Sequence, residues 1–210
     1  MIPPGYERTR AAFAQRLFAW RMNRAVHPER FASFGERSAI VPPAIIRSPH
    51  RIHIGDNVLI HDRVWLSVVE EYHGQHFEPT LTIGDRTVLG RDTYISCVGQ
   101  IDIEHDVLAG DRVLIADTYH RYQDPDTPIS LQPMADPEPV RIETGVLLNV
   151  DVSVLPGVTI GARSYIGAGA VVTRTVPPNS VVVGNPGRII RHYDRDAGRW
   201  VEGAPPGWAG

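Results

Sequence analysis

Aliphatic side chains recur at every sixth position along most of the chain, from about Phe34 to Val172. A glycine or small polar residue follows many of them, as in Ile54-Gly55 and Ile166-Gly167. A fixed short period is typical of a solenoid, in which each unit buries its apolar side against its neighbours. The pattern therefore predicts a stack of short β-strands wound into coils.

The six-residue steps group into threes, so that three sides make one triangular coil. The predicted inward triples are Phe34/Ile40/Ile46, Ile54/Ile60/Leu66, Ile83/Leu89/Ile95, Ile103/Ala109/Ile115, Ile142/Leu148/Val154 and Ile160/Ile166/Val172. A second small or β-branched residue stands four positions after each aliphatic one, which suits short, half-buried strands. These second positions include Val58, Val64, Thr87, Thr93, Val107, Val113, Val146, Val152, Val158 and Ser164.

Every break in the six-residue spacing follows the third side of a coil. The long breaks are residues 72–82 and 121–141, and short breaks in the spacing occur at Ile52-His53 and Ile101-Asp102. All insertions are therefore expected to leave from one corner of the triangle. Insertions confined to one edge of a solenoid usually mark its working face.

The segments flanking the repeat predict a helical cap and a tail. Glu7 to Val26 is expected to be helical, with Phe13, Leu17, Trp20 and Arg24 on one face. Such a helix would cover the open end of the coil, where strand edges are unpaired. An alternative is a basic amphipathic helix on a membrane surface.

The predicted domains are accordingly a cap over residues 1–33, a β-helix over 34–191 and a tail over 192–210. From Gly203 the tail is composed of Pro, Gly, Ala and Trp, and we expect it to be disordered.

Composition narrows the class of protein. The chain has 210 residues, a formal net charge of -3 and 42% hydrophobic residues. The charge argues against a nucleic-acid surface, and no segment has the apolar length of a membrane span. Cys97 is the single cysteine, so a reducing cytoplasmic location is expected and no intrachain disulfide can form. The N-terminus shows no signal-peptide pattern.

The stretch VLPGVTIGARSYIGAGAVVTRTVPPNSVVVGNPGRIIR, Val154 to Arg191, resembles the C-terminal coils of the left-handed β-helix O-acetyltransferases. This family includes the galactoside, maltose and polysaccharide O-acetyltransferases. The resemblance extends over most of the chain from Phe34 to Arg191, and its GAGAVV and VGNPGR segments are specific. It implies an all-β fold with a left-handed coil, a homotrimer, and acetyl-CoA as the acetyl donor with no metal ion.

The resemblance also places a catalytic histidine just after the third side of a middle coil, where VLIADTYH puts His120. An imidazole suits acetyl transfer to a hydroxyl, because it can take the hydroxyl proton as the oxygen attacks the thioester. Asp117, three residues earlier, could orient the ring or be a plain surface carboxylate. Cys97 falls on a predicted strand and is interpreted as a packing residue. A backbone N–H is expected to stabilise the developing oxyanion.

Donor contacts carried over from the family fall on the last coils, at Asn149, Ala168, Thr173, Arg174 and Arg188. An arginine in this region suits phosphate, because guanidinium binds phosphate oxygens in a fork.

Two departures from the family pattern affect the expected pockets. Leu147-Leu148-Asn149 replaces the common Trp-Ile-Gly, which removes an aromatic wall beside the donor. Gly90 replaces the acceptor-site asparagine of galactoside acetyltransferases. The segments Glu70 to Pro79 and Tyr119 to Pro139 are rich in Tyr, His, Asp, Glu and Pro, and this composition suits a sugar or glycan acceptor.

Two other functions fit the coil. A γ-type carbonic anhydrase would need three histidines on zinc, but Ile115 stands five residues before His120, where a further histidine ligand would be expected. A non-enzymatic trimeric scaffold would need neither the corner histidine nor the GNPGR-like tail. The sequence favours the transferase over both alternatives.

Overall fold

The computed structural model describes residues 4–208 of the chain, with side chains from Ala14 onward. The chain begins with the helix α1 (Pro4–Asn23) and continues as short strands. Three single-turn 3₁₀ helices lie at Pro28–Arg30, Pro49–Arg51 and Ile129–Leu131.

The strands follow in chain order. They are β1 (Ser33–Phe34), β2 (Ala39–Ile40), β3 (Ile45–Arg47), β4 (Ile52–Ile54), β5 (Leu59–Ile60), β6 (Trp65–Val68), β7 (Glu71–Tyr72), β8 (Gln75–His76), β9 (Thr80–Ile83), β10 (Val88–Leu89), β11 (Tyr94–Cys97), β12 (Gln100–Ile103), β13 (Leu108–Ala109), β14 (Leu114–Ala116), β15 (Val140–Ile142), β16 (Leu147–Leu148), β17 (Ser153–Val154), β18 (Thr159–Ile160), β19 (Tyr165–Ile166), β20 (Val171–Val172), β21 (Ser180–Val183), β22 (Arg188–Asp194) and β23 (Arg199–Glu202).

Three parallel sheets form the sides of a triangular coil, as the six-residue pattern predicts. The first sheet has the order β1-β4-β9-β12-β15-β18, and the third has β3-β6-β11-β14-β17-β20. The second sheet runs β2-β5-β10-β13-β16-β19-β21 and is then extended by the antiparallel β22 and β23. Each strand of a coil pairs in register with the matching strand of the next coil, so identical steps of successive coils lie above one another.

The predicted inward residues form one continuous core. Ile60, Leu89 and Ile166 are each fully buried, as are nearly all the other members of the predicted triples. The second, smaller positions are buried as well, but they lie at the corner before the strand rather than within it. Val58, for example, precedes β5 and is 1% exposed. A small side chain is needed there because the backbone turns tightly around it.

Successive corners stack closely, and Gly90 shows how little space is available. A Cβ built on Gly90 would lie 2.4 Å from the carbonyl carbon of Gly110 in the next coil. No side chain fits such a gap, so the glycine allows close approach of two backbones. The sequence departure at Gly90 therefore coincides with a packing requirement of this corner.

The helix α1 packs with a different face from the one predicted. Leu17 and Trp20 are 52% and 62% exposed, whereas Ala19 is buried. Asn23 donates from Nδ2 to the carbonyl of Ser38 and accepts at Oδ1 from the amide of Ile40, at 2.8 and 3.1 Å. The small alanine lets the helix approach, and the asparagine amide satisfies the open edge of β2.

The helix extends over Pro4–Asn23 rather than from Glu7 to Val26. The predicted contact of Phe13 lies outside the side chains that the structure describes.

The C-terminal segment is ordered, contrary to the expectation of a disordered tail. The strands β22 and β23 form a hairpin that crosses the predicted boundary at residue 192. Beyond it, the indole N–H of Trp208 donates to the carbonyl of Thr175 at 3.0 Å, and the ring packs against the core. Composition missed this because a single aromatic anchor outweighs the Pro- and Gly-rich residues around it.

Candidate active site

His120 lies at the corner where both long insertions leave the coil. It follows β14 and forms an isolated antiparallel bridge with Met134, on the returning limb of the second insertion. Two backbone bonds flank the bridge: Arg121 N–H donates to the carbonyl of Pro133, at 3.0 Å, and Ala135 N–H to that of Tyr119, at 2.9 Å. The catalytic candidate therefore sits on a hydrogen-bonded ladder rather than on an unsupported loop.

The imidazole of His120 is exposed, and one aromatic ring stands beside it. The ring of Tyr72 meets the imidazole at an interplanar angle of 69°, with 5.2 Å between ring centroids. Tyr72 itself stacks on His73 at 4.2 Å. Tyr72 belongs to the first insertion, so the two insertions predicted to share a corner do meet there.

The first insertion folds as a hairpin, β7–β8, hereafter the corner hairpin (Glu70–Glu78). Its turn residues His73 and Gly74 have φ of 47° and 81°, as two-residue hairpin turns require. Arg51 holds the base of the hairpin, because its Nε donates to Glu70 at 3.1 Å and its Nη2 pairs with Glu78 at 2.5 Å. The corner hairpin is thus tied to the coil next to His120.

The structure gives Asp117 a role other than the two considered from sequence. Its carboxylate is fully buried and accepts hydrogen bonds from the backbone amides of Val98 and Gly99, at 2.9 and 2.7 Å. Burial raises the pKa of Asp117 above its usual range, against the effect of these amides. The carboxylate is therefore a support for the neighbouring corner, and neither a surface group nor a hydrogen-bond partner of the His120 ring.

Cys97 is a packing residue, as its position on a strand predicts. Its side chain is fully buried, and its sulfur lies 3.4 Å from the carbonyl oxygen of Thr80. Burial raises the pKa of the Cys97 thiol, and the nearby charge of Asp117 raises it further. A thiol in this environment is a poor nucleophile.

The donor candidates of the last coil lie close together. Ala168, Thr173, Arg174 and Arg188 are all exposed. Backbone bonds from Val171 N–H to Gly184, at 3.0 Å, and from Gly187 N–H to Val171, at 2.7 Å, fix the GNPG turn against β20. Arg188 follows that turn directly, so it shares a surface with Thr173 and Arg174.

Asn149 stands at the same corner as Ala168, one coil earlier, because Asn149 N–H donates to the carbonyl of Ile166 at 2.9 Å and Gly169 N–H donates to that of Val150 at 3.0 Å. Its side-chain N–H also donates to the carbonyl of Ile166, at 3.0 Å. The amide joins one coil to the next, which is a structural role for the residue where the family often has glycine.

The second insertion lines an open cavity of about 690 Å³. Its lining comprises Tyr119, Arg121, Gln123, Asp124, Thr127, Leu131, Gln132, Pro133, Ala135, Asp136, Pro137 and Glu138. Tyr119 and Arg121 alternate with His120 along an extended segment, so their side chains point away from the imidazole. The cavity therefore opens on the other face of the ladder from the catalytic candidate.

Among residues 4–208, no group of three or more His, Cys, Asp or Glu side chains is placed to hold a metal ion. Over the same residues, no helix has both the length and the apolar character that crossing a membrane would take.

The fold and the corner site define a class, the hexapeptide-repeat β-helix. A family model described as bacterial transferase hexapeptide (six repeats) matches residues 139–174. The galactoside O-acetyltransferase of Escherichia coli K12 is 32% identical over 169 residues, which cover 80% of this chain and 68% of that protein. The chain belongs to the hexapeptide-repeat transferase family, and its coil is the left-handed parallel β-helix of that family.

Two further proteins are similar. A probable acetyltransferase of Mycobacterium tuberculosis H37Rv is 36% identical over 128 residues, which cover 61% of this chain and 42% of the relative. The match thus spans less than half the length of that relative. A hexapeptide-repeat acetyltransferase of Vibrio cholerae, solved with acetyl-CoA, has a TM-score of 0.53 and 26% identity, over 86% of this chain and 88% of that one.

Proposed function

We propose that the protein is an acetyl-CoA-dependent O-acetyltransferase that uses His120 as its general base on a sugar hydroxyl. The observation that carries the proposal is the position of His120. Its imidazole is exposed at the corner from which both insertions leave, and it is held on the ladder with Met134. The relatives named as acetyltransferases support the reaction type.

The proposed reaction is a direct transfer. The acceptor hydroxyl oxygen attacks the thioester carbonyl while the His120 imidazole takes the hydroxyl proton. The tetrahedral intermediate then collapses, the C–S bond breaks, and the imidazolium returns the proton to the departing thiolate. No covalent enzyme intermediate is required, which agrees with the inert environment of Cys97.

The donor is proposed to bind at the last coil. Arg188 and Arg174 are exposed beside the GNPG turn, and guanidinium groups suit the phosphates of coenzyme A. The similar protein from Vibrio cholerae was solved with acetyl-CoA, which supports the choice of donor. His120 lies on coil four and this turn follows coil six, so an extended donor would run along the coil axis between them.

The acceptor is proposed to be a sugar or glycan hydroxyl. The E. coli relative is named for a galactoside substrate. In this chain the ring of Tyr72 lies next to the imidazole. Exposed aromatic rings beside polar groups suit the apolar faces and hydroxyls of a sugar ring.

A homotrimer is proposed because two of the three outer faces are apolar. The outer row of the second sheet lies in register and, beyond the buried Ala39, consists of Leu59, Val88, Leu108, Leu147, Tyr165 and Val181. The third sheet presents Ile45, Trp65, Tyr94 and Leu114 in register, and the row continues with Ser153 and Val171. The first sheet presents the polar row His53, Thr82, Asp102, Arg141 and Thr159. Two adjacent, different apolar faces suit a head-to-tail contact that closes into a ring.

Two further parts of the proposal concern location. A cytoplasmic setting is supported by the lone, buried Cys97. Peripheral contact of α1 with a membrane is proposed on the exposed side chains of Leu17, Phe18 and Trp20 alone. Sedimentation with anionic vesicles tests the membrane contact by comparing the protein with a Trp20→Ala variant. If neither protein sediments with the vesicles, the membrane contact is ruled out.

The test of the transferase is an acceptor screen that follows consumption of acetyl-CoA against sugars, nucleotide sugars and lipid-linked glycans. A thermal shift with acetyl-CoA and a zinc determination accompany it. We expect stabilisation by acetyl-CoA and turnover with one acceptor class. Bound zinc with bicarbonate formation would favour the carbonic anhydrase. No response to acetyl-CoA or longer acyl-CoAs would favour the scaffold.

A further inference from the structure

The backbone of Met134 is satisfied in an unusual way. His120 and Met134 face each other as a non-hydrogen-bonded pair, because the ladder bonds are made by the residues on either side of them. In such a pair the N–H and C=O groups of both residues point away from the partner strand. The N–H and C=O groups of Met134 therefore need hydrogen-bond partners on the side that faces away from His120, where no further strand pairs with this segment.

The side chain of Gln75 supplies that partner. Its Oε1 accepts from the N–H of Met134 at 2.7 Å, and its Nε2 donates to the C=O of Met134 at 3.3 Å. The carboxamide of Gln75, which is fifty-nine residues from Met134 in sequence, thus makes the two hydrogen bonds that a third strand would otherwise make. Met134 is 6% exposed, and a buried backbone group left without a partner is costly.

The corner hairpin delivers two contacts to the catalytic ladder at once. Tyr72 and Gln75 are opposite each other across its two-residue turn. Tyr72 places its ring against the His120 imidazole, and Gln75 holds the residue that faces His120. Arg51 pairs with Glu70 and Glu78 and so gives the hairpin an anchor on the coil besides its contacts with the second insertion.

We propose that Gln75 is a positioning residue for His120. It acts through Met134: the carboxamide fixes the strand opposite the histidine, and this strand sets where the imidazole stands relative to the donor. The inference rests on the proposed function, since it concerns the same histidine. Gln75 touches no reacting atom in this arrangement, so its effect should appear in turnover and not in donor binding.

The test compares Gln75→Ala with Gln75→Glu and with Gln100→Ala as a matched control. Gln100 is an exposed glutamine on β12, and its amide donates to Asp102 at 2.6 Å. We expect Gln75→Ala to lower kcat on the order of 10- to 100-fold, the effect of misplacing a catalytic group by about an ångström. KM for acetyl-CoA and the oligomeric mass should be unchanged. Gln75→Glu keeps the acceptor for Met134 N–H but places an oxygen against the Met134 carbonyl, so it should recover only part of the rate.

A double-mutant cycle separates positioning from general loosening of the loop. In a His120→Ala background, the Gln75→Ala change should cause no further loss of kcat, because the group it positions is gone. An equal loss in both backgrounds would overturn the proposal, as would wild-type kcat in Gln75→Ala.

Failure of the proposed function can be distinguished from failure of the positioning role of Gln75. Full activity of the single His120→Ala variant would remove the base itself, whatever Gln75 does. A readout independent of activity is the NMR signal of the His120 ring in the resting protein. It should shift in Gln75→Ala and stay in place in Gln100→Ala; an unmoved signal in Gln75→Ala would count against the positioning role.

Discussion

The ring of Tyr72 meets the imidazole of His120 at 69°, with 5.2 Å between their centroids. The two residues come from different insertions, which leave the coil at the same corner two coils apart. An edge-to-face contact of this kind restricts the plane of the imidazole without using either of its nitrogens. Both ring nitrogens therefore stay available for the acceptor proton and for an orienting partner.

The first prediction concerns His120 itself. His120→Ala should lower kcat roughly 10²- to 10⁴-fold, the usual loss when a positioned base is removed. Binding of acetyl-CoA should survive, because the proposed donor surface lies at the last coil. His105→Ala, at a different corner, is the control and should keep wild-type turnover. A loss of kcat in His105→Ala with normal kcat in His120→Ala would show that the site lies elsewhere.

Much of the fold could be predicted because each six-residue step repeats one physical requirement. An aliphatic side chain every sixth position specifies an inward row, and in-register pairing stacks these rows into the sheets. Ile60, Leu89 and Ile166 illustrate this, since each is fully buried at its predicted place. The six-residue spacing also predicted the insertion corner, because inserted residues must leave the coil at the position where the spacing is interrupted.

The parts that sequence could not predict depend on contacts between distant residues. Nothing near Gln75 indicates that its amide will bond Met134, because the distance in sequence is long and the contact is made by one side chain. The role of Asp117 was missed for a related reason. Proximity to His120 in sequence suggested that Asp117 could orient the ring, whereas in the structure its carboxylate accepts hydrogen bonds from the amides of Val98 and Gly99.

The packing of α1 shows a different limit of prediction from sequence. Apolar spacing selected Leu17 and Trp20 as the buried face, but Ala19 is buried instead. A helix lying across a strand edge needs a small contact residue and a hydrogen-bonding one, which Ala19 and Asn23 provide. Hydrophobic periodicity does not detect that requirement.

The second prediction tests the donor surface. Arg188→Ala or Arg174→Ala should weaken coenzyme A more than dephospho-coenzyme A, if the arginine contacts the 3′-phosphate, since only that ligand loses a charge-assisted contact. Calorimetric titration of both ligands gives the comparison. Arg195→Ala, in the turn between β22 and β23, is the control and should bind both as the wild type does. Equal losses for the two ligands would argue against a 3′-phosphate contact.

The third prediction concerns the support at the neighbouring corner. Asp117→Ala leaves the buried N–H groups of Val98 and Gly99 without their acceptor, which costs about 1–3 kcal/mol for each unsatisfied donor. Urea unfolding should therefore show a clear loss of stability. Asp136→Ala, an exposed carboxylate on the second insertion, should change the free energy of unfolding by less than about 1 kcal/mol. If the two variants were equally stable, the carboxylate of Asp117 would not be the support inferred from its hydrogen bonds.

The fourth prediction concerns assembly. Leu108 is 45% exposed in the middle of the apolar row on the second sheet. Leu108→Lys should disrupt a trimer, because burying an unpaired ammonium group at an interface is unfavourable. Light scattering should report about three chains for the wild type and fewer for the variant. Thr159→Lys, on the polar first sheet, should stay trimeric. A fully active wild-type monomer would end the trimer proposal.

The last prediction uses the base of the corner hairpin. Hydrogen bonds from Ser48, Arg51 and His50 lower the pKa of Glu70 to about 2, from about 4.3 in an unfolded chain. A lowered pKa in the folded state stabilises the protein above the unfolded value, and this stabilisation is lost as the pH falls toward 2.

Glu70→Gln removes that ionisation, so the variant should be less stable than the wild type at pH 7. The deficit should be about 1 kcal/mol or less, because the Glu70 side chain is partly exposed and solvent screens the pairs. Urea unfolding between pH 7 and pH 3 should show the deficit shrinking below about pH 4.3, where unfolded Glu begins to bind protons. Glu71→Gln, the next residue and an exposed one, is the control. A deficit that stayed constant over this range would mean that the charge of Glu70 does not hold the corner hairpin.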